Sequence, residues 1–363
     1  MRKFIDRREE TLISEVNSAY DVRKKQKEAN KYILDLHRAS LQSPCDFAQE
    51  LITNGTTQIS YSPGEIYVAG LEAMLGQETV ESQPPLAGLV TIPRSAPHPP
   101  VFLDKAECFH SFNAKLKGNR KFNFSGLAID EEYVFVVDKG NDKTKSFTHA
   151  GGFKYEIKLL QPHGVAVSQT GHLYITSVGD KYVQVYSTRG QQLTTMGQGQ
   201  LEKPFGITLD RQGHVMVCDK AKKGIFTFHA EKGQLLSTIP LSMCECPVYI
   251  TANSVDDNIV ISDWGIDCVY VLSPTGDQLY QYGGRGVGEL RLPRGVCTDS
   301  YGHIFIADWN HRIVALSPQG EFITYIATKD DGLNHPVAVA INPTGQLVVA
   351  EAEGKVKTFQ YLQ

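Results

Sequence analysis

One phrase occurs twice in the C-terminal half of the chain: ISDWGIDCVYVLSPTGDQLY from Ile261 and IADWNHRIVALSPQGEFITY from Ile306. Both copies run from an apolar strand-like segment through Asp-Trp and a polar turn to Ser-Pro-x-Gly. A chain that repeats its own punctuation folds by stacking equivalent units, which excludes most single-core architectures. Prolines leading apolar runs recur at Pro162, Pro204, Pro247, Pro293 and Pro336, 42 to 46 residues apart. Glycines of a later turn recur at Gly190, Gly233, Gly276 and Gly320, 43 or 44 residues apart. A third series, Gly171, Gly213, Gly302 and Gly345, keeps the same register.

Each unit holds four short runs, seen in the second unit as GVAVS, HLYITS, YVQVYS and QLTTM. Val, Ile, Tyr and Phe split by Gly, Asp, Asn and Pro turns read as antiparallel strands. Four strands in about 40 to 45 residues is the period of a β-propeller blade. The Asp-x-x-Gly steps, Asp210 to Gly213 and Asp299 to Gly302, suit tight hairpins with glycine at positive φ. A further unit opens at FSGLAID (Phe124), with Ser125-Gly126 where the others have Pro-x-Gly. The last unit ends after three strands, and AECFHSFNAKL from Ala106 is the candidate for its missing outer strand. Pairing the two would close a six-bladed ring over residues 106–363 and remove its exposed edges.

Upstream, Ile5, Leu12, Ala19 and Ile33 fall at sevenfold steps, while VRKKQKEAN breaks the apolar seam. Residues 1–76 are therefore expected to form a helical, coiled-coil-like dimerisation segment. Within it, Ser43, Pro44 and Gly55 stand where a helix cap, first turn and terminator belong. Residues 77–105 are proline-rich and aperiodic, as a linker would be. The expected fold is thus an all-β six-bladed β-propeller preceded by an α-helical coiled-coil segment.

Composition narrows the function. With 36 basic against 40 acidic residues, the whole chain is not a general polyanion binder. No apolar run is long enough for a membrane helix, and the charged start MRKFIDRREE cannot serve as a signal peptide. Seven irregularly spaced cysteines suggest reduced thiols and a cytoplasmic protein, with no metal or other cofactor held in this chain. His172, His214 and His303 recur beside the hairpin glycines, as turn residues do, rather than converging as metal ligands. No nucleophile elbow or phosphate loop is present.

Strand alternation puts the blade-to-blade connections and the second-to-third-strand loops on one face, which carries the positive balance. Its basic residues concentrate in the first three blades, and the candidate binding set there is Lys121, Lys139, Lys143, His163, Lys181, Lys203, Phe205, Lys220, Lys222 and Lys223. Lys117, Arg120 and Lys145 also count toward this surface, against Asp138, Asp142, Asp180, Glu202 and Asp219. Lysines can attract phosphates, and the aromatic residues among them can stack on bases. The plainer alternative is a solvated rim with aromatics packed between blades. For Asp263-Trp264 and Asp308-Trp309 the favoured reading is architectural: Asp caps a loop turn and Trp packs on the next blade.

Pro-x-Gly-Val, Ile-x-Ile-Ala-Asp and Asn310-His311-Arg312-Ile313 together resemble the NHL repeat. Gly179-Asp180-Lys181-Tyr182 and Gly265-Ile266-Asp267-Cys268 are degraded copies of the last element. SLQSPCDFAQELITNGT resembles the distal coiled-coil region of tripartite-motif proteins. Coiled coil, linker and propeller in this order are similar to the TRIM-NHL family. That resemblance implies part of a RING-type ubiquitin ligase, with protein substrate or RNA bound by the propeller and homodimerisation through the helices. Several family members bind RNA and repress translation, which makes an RNA-binding repressor the alternative. No Cys/His cluster precedes the N-terminal helix, so RING and B-box zinc would belong to a longer product, or the catalytic end has been lost.

Overall fold

The computed structural model describes residues 101–118, 123–285 and 290–363. Residues 1–76, where a coiled-coil segment is expected, nearly all of residues 77–105 and Lys121 lie outside the described residues. Six four-stranded antiparallel sheets form the fold, and their innermost strands contact one another in a closed ring. The innermost strands of blades 1 to 6 are Phe124–Ile129, Pro162–Val167, Pro204–Leu209, Pro247–Ala252, Pro293–Thr298 and Pro336–Ile341. Among the described residues there is no α-helix and no helix long and apolar enough to cross a membrane.

Blade 6 takes its outer strand from the other end of the sequence. Phe102–Asn113 pairs antiparallel with Lys355–Leu362, with Phe112 opposite Val356 and Phe102 opposite Leu362. The strand begins four residues before the expected Ala106, and its register slips between Phe102 and Glu107. Gln363 N–H donates to the Val101 carbonyl at 3.0 Å, fastening the seam.

Burial explains why the middle strands look uniformly apolar. The second strands, such as Val215–Asp219, Ile259–Asp263 and Ile304–Asp308, are buried along their whole length, because both faces of each sheet meet another blade. Outer strands such as Leu235–Pro240 are half exposed at the rim. Two kinds of glycine hold this geometry. Gly213 and Gly302 turn hairpins at φ +80° and +84°. Gly164 of Pro-x-Gly instead permits close approach: a Cβ there would lie 2.5 Å from the Phe205 carbonyl of the next blade.

Candidate functional site

In five of the six blades the second strand ends in an acid, with Ser177 in its place in blade 2, and these acids anchor the site. Asp263 accepts backbone N–H bonds from Glu245, Cys246 and Gly265 at 2.7 to 2.9 Å, and Asp308 accepts from Arg291 and Asn310. Asp219 does the same for Glu202, Lys203, Ala221 and Lys222. These carboxylates tie the incoming connection to the second-to-third-strand loop, which confirms that the two kinds of loop share a face. Four of the residues that follow these acids lie beside the channel: Lys139, Lys220, Trp264 and Trp309. The middle residue of Pro-x-Gly arrives from the inner strand and supplies His163, Phe205 and Arg294.

These side chains form one continuous contact path. Lys139 Nζ and Lys220 Nζ lie 5.5 and 5.1 Å from the Phe205 ring centre. His163 meets Phe205 edge-on at 4.1 Å and lies 5.4 Å from Tyr249. Arg294 stacks over Trp264 at 4.7 Å and Trp309 at 4.3 Å, and Lys220 also reaches Trp264 at 5.6 Å. Trp309 in turn contacts His335, which lies 3.9 Å from His311. Such cation–ring contacts hold the charges in place but do not neutralise them.

Among the described residues, Lys139, Lys220 and Arg294 have no acid within ion-pair distance. Burial, and then the neighbouring Lys220 and Arg294 charges, pull the Lys139 ammonium below its usual range. Burial pushes the His163 imidazole well below its usual value, and Lys139, Arg294 and Lys220 add to the effect. His163 is therefore neutral at pH 7. Burial raises the Tyr249 phenol to about 12, opposed by Arg294. Four buried polar atoms here have no hydrogen-bond partner: His163 Nδ1, Tyr249 OH, Trp264 Nε1 and Arg294 Nε. The Tyr249 hydroxyl lies beside Arg294 without making a well-formed bond to it. Four such atoms in one place, out of eight among the described residues, mark the mouth as an unfinished hydrogen-bonding environment.

Of the expected binding residues, the structure brings together Lys139, His163, Phe205 and Lys220. Lys143 is paired with Glu156 at 2.7 Å. Lys222 donates to the Gln200 carbonyl and lies over Phe226. Lys181, Lys203 and Lys223 are exposed loop residues that take no part in the cluster. Lys145 does not belong to the surface at all: it is fully buried, 2.6 Å from Asp138 and 3.1 Å from the Ala114 carbonyl. Its strand is covered on both faces, so an alternating Lys-Thr-Lys-Ser pattern says nothing about which lysine sees water.

The residues not anticipated as site members are Arg294, Tyr249, Trp264, Trp309 and His335. A signal existed, since Arg294 holds the repeat position of His163 and Phe205, and the tryptophans hold that of Lys139 and Lys220. The capping expected of Asp263 and Asp308 is present, but the tryptophans carry Arg294 as well as interblade packing. His214 and His303 bond Asp210 and Asp299 within their own turns at 2.9 Å, as turn residues should. Among the described residues no three His, Cys, Asp or Glu side chains group as metal ligands.

No protein-family model matches the chain. It is 24% identical over 265 residues to human E3 ubiquitin-protein ligase TRIM32, covering 63% of this chain and 40% of that one. It is 23% identical over 294 residues to human E3 ubiquitin-protein ligase NHLRC1, covering 74% and 73%. The chain thus spans about two fifths of TRIM32. A solved streptogramin B lyase superposes with a TM-score of 0.54 at 16% identity, over 69% of this chain and 97% of that one, a likeness of fold. Blade count and these relatives together make the repeats similar to the NHL portion of TRIM-NHL family proteins.

Proposed function

We propose that the propeller is the target-recognition module of a TRIM-NHL-type ubiquitin ligase and engages an anionic feature of a protein target at the channel mouth. The observation that supports this is the convergence of Lys139, Lys220 and Arg294, without acids, onto a ring of orphaned donors. Uncompensated charge in a partly desolvated concavity is unfavourable in the free protein and becomes favourable when an anion arrives. Dimerisation through residues 1–76 would present two such mouths, with a gain in avidity set by the reach of the linker. Residues of the ligase outside this chain would then deliver ubiquitin to what the propeller holds.

A second reading, an RNA-binding repressor, has support from Lys181, Lys203 and Lys223, exposed in loops of the same face. One pair of experiments separates the two. Charge reversal at Lys220 and Arg294 should abolish capture of cellular partners by the full chain, whereas Lys232→Glu, on the opposite face, should not. Retention of all partners by the double variant would refute recognition at the mouth. Binding of single-stranded RNA by the full chain, steeply salt-dependent and weakened by Lys181→Glu and Lys223→Glu, would favour the second reading.

A further inference from the structure

We infer that the channel mouth is a phosphate-monoester site, and that its occupant is a phosphorylated side chain of the protein target. The inference rests on the mouth being the recognition surface and names what it reads. Charge comes first. Three cations from blades 1, 3 and 5 face one small space without an acid, and a phosphate monoester carries close to two negative charges at neutral pH. A single carboxylate would leave more of that charge uncompensated.

Hydrogen bonding points the same way. His163 is 1% exposed and Tyr249 is 7% exposed, yet His163 Nδ1 and the Tyr249 hydroxyl have no partner. Trp264 Nε1 and Arg294 Nε are also buried and unsatisfied. A hydroxyl, an indole N–H and a guanidinium N–H all donate, and neutral His163 donates from Nδ1 in one tautomer. The matching ligand is rich in acceptors and poor in donors, as phosphate oxygens are.

The aromatic rings exclude the competing ligand. Phe205 already has Lys139, Lys220 and His163 against it; Trp264 has Lys220 and Arg294; Trp309 has Arg294 and His335. Recognition of single-stranded nucleic acid needs open ring faces on which bases can stack. Here the rings serve as seats for cations. Below the mouth the channel narrows to a cavity of about 50 Å³ ringed by Gly126, Gly164, Gly206, Gly295, Ala338 and the larger Tyr249. That volume holds water and no side chain, so the ligand stops at the mouth.

The chain carries a built-in reporter, because its only two tryptophans are Trp264 and Trp309. Tryptophan emission of the full chain would be titrated with the peptide Gly-Gly-phosphoserine-Gly-Gly, its unphosphorylated form, inorganic phosphate and an unstructured RNA strand. The inference predicts a saturable change with the phosphopeptide, at least tenfold weaker without its phosphate. Inorganic phosphate should compete for the same change. Arg294→Gln and Lys220→Gln should each lose it while melting like the parent chain, and Lys232→Gln should keep it. Should Arg294→Gln unfold, Lys220→Gln and Lys139→Gln decide the matter.

No saturable change with the phosphopeptide up to about 1 mM, a weak affinity even for a minimal peptide, would overturn the inference. So would displacement of that peptide by RNA at lower concentration than inorganic phosphate requires. Phosphatase treatment of captured partners separates the inference from the reading beneath it. Release of the partners supports the phosphate site. Partners that stay bound after dephosphorylation, yet are lost on charge reversal at Lys220 and Arg294, refute the phosphate and leave recognition at the mouth standing.

Discussion

Lys145 and Lys139 belong to the same blade, six residues apart, and the fold treats them in opposite ways. Lys145 is fully buried with a carboxylate at 2.6 Å and a carbonyl at 3.1 Å. Lys139 is half-buried against Phe205, with two further cations near it and no acid among the described residues. The first arrangement is what a cation requires to be part of a core. The second rests on ring contacts alone, and a ligand anion would supply the missing counter-charge on the reading proposed above. Comparing how each charge is satisfied separates structural cations from binding cations better than counting lysines does.

The contrast can be broken by mutation, and the largest effect is expected at the paired site. Lys145→Ala removes the cation paired with buried Asp138, leaving its charge without a counter-ion although Asn141 still donates to it, and should lower unfolding free energy by about 3–5 kcal/mol, read by chemical denaturation. Replacing both residues with apolar ones of similar volume should recover most of that loss. If the single change proves harmless, the pair does not hold this part of the core together.

Acid should expose the neutral histidine next. His163 is held uncharged in the fold, so its folded pKa lies below its unfolded value of about 6.5. As pH falls below about 6.5 the unfolded chain takes up a proton that the folded chain refuses, and stability drops by up to about 1.4 kcal/mol per pH unit. His335, lowered by burial and then by His311, adds to the same trend. His163→Phe should flatten the acid limb of a stability–pH curve measured by thermal melting; an unchanged slope would assign that limb to other groups.

The smallest effect is expected at Lys139, and its sign carries the information. Lys139→Met removes a cation from a like-charged cluster, so stability should hold or rise by about 0–1 kcal/mol while ligand binding weakens. A destabilisation like that of Lys145→Ala would mean that Lys139 is structural after all.

The ring was legible because propeller punctuation is local: a glycine at positive φ or a strand-opening proline announces itself within a few residues. Even the missing outer strand could be found, since a unit with three strands needs a fourth. Its true start at Phe102 was hidden by the irregular register before Glu107. The site was legible only in half. His163, Phe205, Lys139 and Lys220 were expected only as part of a set with six other lysines, and Arg294 lies far along the chain and joins them only once the ring closes. Lys222 and Lys223 belonged to the same expected set, yet Lys222 is engaged by the Gln200 carbonyl. Convergence at an axis is a property of repeat position. It cannot be read from nearness in sequence.

The shared sixth blade also sets a clock for synthesis. Phe102–Asn113 leaves the ribosome well before Lys355–Leu362 exists to pair with it. At ordinary translation speed that interval is roughly 10–50 s. During it, five blades can assemble while the first strand keeps an open edge in a crowded cell. The nascent chain therefore passes through an arc before it becomes a ring, and a holdase that shields one β-edge would be most useful in that window.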